Sequence, residues 1–383
     1  MAKYDESSIK SLNWREHIRL RPGMYIGKLG NGKNPDDGIY VLIKEIIDNC
    51  IDEYVMGFGN KIEIDINENS VSVRDYGRGI PLGKVIECVS KINTGGKYDS
   101  EAFKKSVGLN GVGTKAVNAL SDDFTVFSFR DGECKKATFS KGNIQKDSPI
   151  LKTDESNGTL INFTPDKEVF KNFNYIPDHL EDKIWNYAYL NSGLTLAFNK
   201  KKYYSKNGLL DLLNKHIDIE KNKYPIVHIK KGDLEVAFTH ASHYGEEYYS
   251  FVNGQHTTQG GTHLTAFKES IVKSVRDFYK KDFDPLDIRS AIAAAISVKI
   301  QEPVFESQTK TKLGSTEMSP NGETIRSKFL DLFKTEFDNY LHKNQDMANA
   351  LLQRILQSEK ERKDMAGIRK LANKRAKKAN LFN

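Results

Sequence analysis

From Ile39 to Val55 apolar residues recur at helical spacing (Ile39, Leu42, Ile43, Ile46, Ile47, Cys50, Ile51, Tyr54, Val55), which predicts a helix with one side in a core. The other side carries Glu45, Asp48, Asn49 and Asp52, at i, i+3, i+4 and i+7. On the pattern alone this polar stripe reads either as the solvated face of an amphipathic helix or as a working surface. The period then changes. Across KIEIDINENSVSVRD, Ile62, Ile64 and Ile66 and then Val71 and Val73 alternate with polar residues. Two strands are expected, joined by a turn at Asn67–Ser70, the second ending on Asp75. A helix is predicted over Leu82–Asn93, followed by a polar, glycine-containing loop, TGGKYDSEAFKKSVGLNGVG. TKAVNALS restarts a helix, and DFTVFSFR, KKATFS and GTLINFTP read as strands. Strands alternating with helices predict an α/β layered first half.

The lysine-rich, apolar-poor stretch NKHIDIEKNKYP marks the expected boundary between a domain of residues 1–217 and one of residues 218–383. Beyond it, LEVAFTHA and YYSFVNGQ read as strands, LTAFKESIVKSVRDFYKKD as a helix, and DIRSAIAAAISVKI as a helix running into a strand. The chain closes on a helical pattern from about Thr324 to Lys378. A length of 383 residues exceeds what one core ordinarily serves, so two domains are the expectation.

Composition narrows the class. No run of about 18 apolar residues is present and the amino terminus lacks the basic-then-apolar order of a leader, so a soluble, cytoplasmic protein without membrane contact is expected. Three widely spaced cysteines, Cys50, Cys88 and Cys134, fit neither a disulfide framework nor a zinc site. Between Lys360 and Asn383 nine Lys/Arg stand against two Asp/Glu, which accounts for the whole formal net charge of +7. The basic character is therefore a property of the tail, either a solvated helix end or a nucleic-acid contact.

Four short motifs carry chemistry. GLNGVGTK, residues 108–115, sets glycines ahead of a helix, where backbone N–H groups and the helix dipole favour an anion, yet it has neither the GK[ST] spacing of a Walker loop nor the order of a dinucleotide site. DYGRGIP, residues 75–81, places an acid at a strand end before two glycines flanking Arg78. A carboxylate there can accept a hydrogen bond from an exocyclic amine, and the same pattern also suits a plain type I turn. GTLINF begins a strand with Gly158 and Thr159, whose hydroxyl is positioned to support that carboxylate, and QTKTK, residues 308–312, offers a lysine as a point charge for a phosphate.

The order of these parts, an acid-and-Asn helix, a DxGxG turn, a glycine-rich lid and a GT strand, resembles the GHKL ATPase superfamily. With YDESSI, RPGMYIG, TGGKYD, QGGTH and QTK added, the chain is similar from Tyr4 to the basic tail to the B subunit of bacterial type IIA topoisomerases, and FVNGQHTTQGGTH looks closer to topoisomerase IV than to gyrase. The resemblance implies an ATPase sandwich of a mixed sheet with helices on one face. A transducer domain with a left-handed βαβ unit and a long carboxy-terminal helix follows.

It further implies ATP and Mg2+ as ligands, with Glu45 as general base toward the attacking water, Asn49 as magnesium ligand, and Asp75 as the reader of adenine with Thr159 behind it. Asp48, Arg78, Gly79, Ile80 and Pro81 fall on positions that line or brace the nucleotide. Lys97 and the lid residues Gly108, Leu109, Asn110, Gly111, Val112 and Gly113 match the cover over the phosphates. Gln308 and Lys310 match a loop that touches the γ-phosphate. Tyr4 and Ile9 match an arm that crosses to a second copy when ATP binds, and Arg130 matches a pocket edge where aminocoumarins bind. Partners on this resemblance are a second copy of the chain, a DNA-cleaving A-type subunit and double-stranded DNA passed through an ATP-gated clamp. The domain for DNA cleavage is missing, so a fragment is expected that hydrolyses ATP without changing supercoiling by itself.

Two departures stand out. Val41 occupies the position four residues before Glu45 where the family usually has a histidine, and the lid reads VGLNGVG, with Val107 and Asn110, instead of GGLHGVG. They bear on how Glu45 is oriented, since a positioned base contributes roughly 10²–10⁴-fold. The alternatives are a nucleotide-gated dimerisation module without turnover, or another GHKL protein of the chaperone or mismatch-repair type.

Overall fold

The structure is a computed structural model that describes residues 9, 11–95, 111–218, 220, 222–241, 245–306 and 310–379. Tyr4, Lys97, Gly108, Leu109, Asn110 and Gln308 lie outside the described residues. Two compact units divide the chain, Met1–Gly208 and Leu209–Asn383.

The first unit runs α1 (Trp14–Leu20), α2 (Gly23–Ile26), α3 (Gly38–Val55), β1 (Lys61–Asn67), β2 (Ser70–Asp75), α4 (Val85–Ser90), α5 (Gly113–Ala119), β3 (Ser121–Arg130), β4 (Glu133–Ser140), β5 (Asn143–Asp147), β6 (Leu151–Lys152), β7 (Gly158–Pro165), α6 (Pro177–Leu190), β8 (Thr195–Phe198) and β9 (Lys201–Tyr203). Among the described residues the strands form one mixed sheet in the order β5-β4-β3-β7-β2-β1-β8-β9, with β6 paired to β4 and only β1 and β8 parallel. Register puts apolar side chains in rows. Ile64 faces Val73, which faces Ile161, which faces Val126, and beside them run Val71, Phe163, Phe124 and Phe139. All of these are buried, and Ile39, Leu42, Ile43, Ile46 and Ile47 of α3 join them in one core. Alternate positions such as Ser72, Thr125 and Asn162 are half-exposed, so the sheet has one apolar, helix-covered face.

The second unit contains α7 (Leu209–His216), β10 (Val227–Lys231), β11 (Leu234–His240), β12 (Glu247–Val252), β13 (Gln255–His256), α8 (Thr262–Tyr279), α9 (Pro285–Arg289), β14 (Ile292–Val298), α10 (Ile325–Leu332), α11 (Asp338–Lys343) and α12 (Gln345–Ala379). Its sheet has the order β10-β11-β14-β12-β13, and β12 pairs parallel to β14 through the crossover helix α8. The helical pattern predicted from Thr324 onward is broken. A π turn at Phe333–Phe337 separates α10 from α11, and at Asn344 the chain leaves helical geometry (φ −122°, ψ 69°). There the Tyr340 carbonyl accepts both the Asn344 backbone N–H at 3.0 Å and the Asn344 side-chain amide at 2.8 Å, which caps the helix end. After that stop α12 runs for 35 residues.

Candidate functional site

Asp75 takes a core position. Along β2 the inward residues are Val71, Val73 and then Asp75, which lies opposite Ile62 and is only 4% exposed. Burial pushes its carboxyl up to about 6, with Glu53 adding to the rise, while the backbone N–H groups of Gly77 and Thr159 and the cation of Arg74 work against it. The Gly77 N–H donates at 2.8 Å. Support from Thr159 thus comes through its backbone N–H. From α3 the buried Cys50 thiol faces the same carboxylate, and burial pushes its pKa up too.

The turn after Asp75 folds back onto the sheet. Gly79 sits at φ 75°, and a Cβ there would stand 2.5 Å from the Phe129 carbonyl oxygen. Gly158, at φ 137°, passes so close that a Cβ would lie 2.1 Å from the Asp75 carbonyl oxygen. Both positions need glycine for conformation and for space. Ser128 Oγ donates to the Ile80 carbonyl (2.6 Å), and Arg130 Nη1 donates to that of Gly79 (3.4 Å). Ile80 packs against the core, whereas Pro81 is exposed.

The polar stripe of α3 is not a solvated face. Asp48 and Asp52 are 2% exposed each, and Glu45 and Asn49 are half-buried. Asp48 accepts from Lys44 Nζ at 2.6 Å and from the Tyr187 hydroxyl of α6 at 2.7 Å, a pairing that ties two helices together. Asn49 Nδ2 donates to the Glu45 carbonyl (2.7 Å) and to Thr114 Oγ1 (3.0 Å), which uses both amide protons and ties the stripe to the first turn of α5. Glu53, to which the motifs gave no role, holds Arg78 by a two-pronged bond, Nε to Oε2 and Nη2 to Oε1 at 3.0 Å each, and accepts the Arg78 backbone N–H as well. Its i+8 spacing from Glu45 was the available signal. Arg74 was also missed; it is buried between Tyr76 and Phe129, its guanidinium donating to the Asp75 and Ser156 carbonyls.

At the other end of the stripe α5 begins. Gly111 has φ 57°, Val112 is the N-cap without a side-chain cap, and Gly113 opens the helix. A Cβ on Gly113 would lie 1.9 Å from Glu45 Oε2, so the carboxylate rests against the first turn of α5. Lys115 is buried and donates to the Thr94 carbonyl at 2.7 Å. Val41 is half-buried against the core. Tyr40 cannot substitute for a histidine there, because its hydroxyl donates to the Gly32 carbonyl (2.7 Å) and accepts the Ile176 N–H (2.8 Å). Lys44 lies within the field of Glu45, and its Nζ is held by Asp48 at 2.6 Å.

One helix therefore connects a buried carboxylate turn to a glycine-rich helix start. The eight residues from Glu45 to Glu53 span about 12 Å. That suits an elongated ligand with an amine-bearing ring at one end and an anion at the other. Thr159, Asp75, Arg78, Gly79 and Arg130 come together at the first end, and Glu45, Asn49 and Gly111–Gly113 at the second. Lys310, at φ 56°, belongs to the second unit, and Ile9 is exposed.

Two family models match the chain: one described as histidine kinase-, DNA gyrase B-, and HSP90-like ATPase over residues 34–168, and DNA gyrase B over residues 198–371. The B subunit of DNA topoisomerase 4 from Borreliella burgdorferi is 50% identical over 98% of this chain and 61% of its own length. The B subunit of DNA gyrase from Thermotoga maritima is 31% identical over 98% of this chain and 63% of its own. The chain thus spans less than two thirds of the curated relatives it matches. Among solved structures, the ATPase domain of Thermus thermophilus gyrase B, in complex with an aminocoumarin, aligns with TM-score 0.74 and 28% identity over 93% of this chain and 98% of that one. The shared ATPase fold, the second-unit match and the relatives that align along nearly all of the sequence agree, and the chain belongs to the B-subunit family of type IIA DNA topoisomerases, corresponding to its ATPase and transducer region.

Proposed function

We propose that the first unit binds ATP with Mg2+ and hydrolyses it, and that turnover gates a homodimeric clamp for passage of double-stranded DNA. The observation that carries this reading is α3 itself, with a buried acceptor carboxylate at one end of its polar face and a second carboxylate resting on the glycine start of α5 at the other. Asp75 accepts the exocyclic amine of adenine, with Thr159 bracing it and Arg78, Gly79, Ile80 and Pro81 forming the wall. Backbone amides of Gly111–Gly113 take phosphate oxygens, joined on the family resemblance by Lys97, Gly108, Leu109 and Asn110, and Gln308 and Lys310 act on the terminal phosphate. Asp48 braces the site through Lys44 and Tyr187. Glu45 withdraws a proton from the attacking water.

The described residues suit magnesium. They contain no group of three or more His, Cys, Asp and Glu that could cage a metal. A single amide oxygen from Asn49 fits an ion that keeps water and phosphate oxygens as its other ligands. When bound, Mg2+ neutralises charge on the phosphates. The test is phosphate release by wild type and Glu45→Ala beside nucleotide affinity by calorimetry. A loss of about 10²-fold or more in turnover with binding retained supports the assignment. Equal, near-background rates in both proteins support the module without turnover, the reading that Val41 favours.

The arm with Tyr4 and Ile9 is proposed to engage the second copy, and a DNA-cleaving A-type subunit to complete the enzyme in the cytoplasm. Topoisomerase IV is preferred over gyrase on the 50% identity to a topoisomerase 4 relative against 31% to a gyrase relative. A full-length complex that relaxes and decatenates without introducing negative supercoils supports that choice.

A further inference from the structure

The segment that begins at Lys310 is mounted on the turn between β13 and α8. Gln259 N–H donates to the Thr311 carbonyl (2.9 Å), Leu313 N–H to the Gly260 carbonyl (3.0 Å), and Thr262 Oγ1 to the Ser315 carbonyl (2.5 Å). Gly261, at φ 133°, lets the two backbones touch, since a Cβ there would stand 2.4 Å from the Leu313 carbonyl oxygen. Residues 311–315 therefore sit wherever residues 259–262 put them.

What holds that turn is buried and polar. His263 is 0% exposed and Thr257 1%. The Thr257 N–H and hydroxyl donate to the Ser250 carbonyl of β12 at 2.8 and 2.9 Å, and His263 Nε2 lies 3.1 Å from Thr257 Oγ1. Ser250 Oγ donates to the Thr257 carbonyl at 2.9 Å and lies 2.8 Å from the Thr257 hydroxyl, so Ser250, Thr257 and His263 share one buried polar cluster. The other ring nitrogen of His263, Nδ1, has no partner among the described residues. Burial pushes the imidazole down to about 4, so it stays neutral at working pH. Burying a nitrogen without a partner costs stability, and an apolar side chain would serve the core better. The contribution of His263 is thus one of geometry.

We propose that His263, through Thr257, is a positioning residue for turnover that fixes the seat of the Lys310 loop. This rests on the assignment of Lys310 to the terminal phosphate. It concerns the chemical step and leaves recognition of the adenine end to the first unit.

The test compares ATP turnover, ADP affinity and thermal midpoint in the full chain. His263→Leu lowers kcat about 10–100-fold, as expected of a displaced catalytic group, while ADP affinity stays within about twofold and the midpoint is unchanged or raised. His263→Gln, which keeps a polar partner for the Thr257 hydroxyl, recovers most of the rate. In a Lys310→Ala background, His263→Leu has no further effect. Gly261→Ala, which pushes the Leu313 backbone away, reproduces the loss by a second route if His263→Leu fails to fold. Full turnover in His263→Leu beside slow turnover in Lys310→Ala overturns the positioning role, as do losses that multiply in the double variant. Full turnover in Lys310→Ala itself removes the underlying assignment instead.

Discussion

Replacing Asp75 by Asn separates stability from recognition. In the folded chain the carboxyl is raised from 3.8 to about 6, and burial is the largest cause. A raised folded pKa means that the group's contribution to stability is fully present below about pH 4 and is lost as pH rises through about 6. The shift of about two units corresponds to about 3 kcal/mol of destabilisation at neutral pH. Asparagine removes that cost. Its single carbonyl keeps one of the two backbone donors, Gly77 and Thr159, and the loss of the other returns about 1 kcal/mol. The variant is therefore about 2 kcal/mol more stable near pH 8, a rise of about 4–8 °C for a unit of this size. Below about pH 4 the advantage vanishes, because the wild-type carboxyl is then neutral as well.

Recognition moves the other way. The backbone donor that is kept draws the asparagine oxygen inward, so its NH2 faces the ligand, donor against donor with the adenine amine. Loss of a charged hydrogen bond worth about 1.5–3 kcal/mol weakens ATP about 10–100-fold, while GTP, which presents a carbonyl, is not weakened. Scanning calorimetry from pH 4 to 8 and titration calorimetry with both nucleotides read the two effects. A midpoint difference that does not change with pH, or unchanged ATP affinity, would refute the reasoning.

In wild type, ATP affinity falls by about fivefold as pH drops through about 6, since a neutral acid makes a weaker acceptor than a carboxylate; titration at pH 5 and 8 checks this. Gly113→Ala places a methyl against the Glu45 carboxylate and slows phosphate release about 10–100-fold without lowering the thermal midpoint, because alanine favours the helix and Glu45 swings aside. Asp48→Ala strands Lys44 and the Tyr187 hydroxyl and costs about 3 kcal/mol, read as a lower urea midpoint. Removal of the residues after Lys360 flattens the salt dependence of DNA-stimulated ATP turnover if the basic tail neutralises phosphates, and an unchanged slope removes the tail from the DNA contact.

The elements with strong periodicity were legible along the chain. The spacing of Ile39 to Ile51 defined α3, and the alternation over 61–75 defined β1, β2 and the placement of Asp75 at a strand end, because burial on one face imposes a period before any partner is known. The motif order likewise pointed to the family. By contrast α6, β8 and β9 were not anticipated, since the segment from residue 166 to 208 mixes aromatic and charged residues without a clean repeat. Nor did the helical register reveal that Asp48 and Asp52 are buried. A helix face becomes interior only when other elements cover it, and Tyr187 of α6 reaches Asp48 from 139 residues away. The pairing of Glu53 with Arg78, the backbone support of Asp75 by Thr159 and the seating of residues 311–315 on Gly261 belong to the same class. Sequence determined which residues could do the chemistry. Tertiary structure decided which carboxylates lose their water, because only the elements packed over Asp48, Asp52 and Asp75 take them out of solvent.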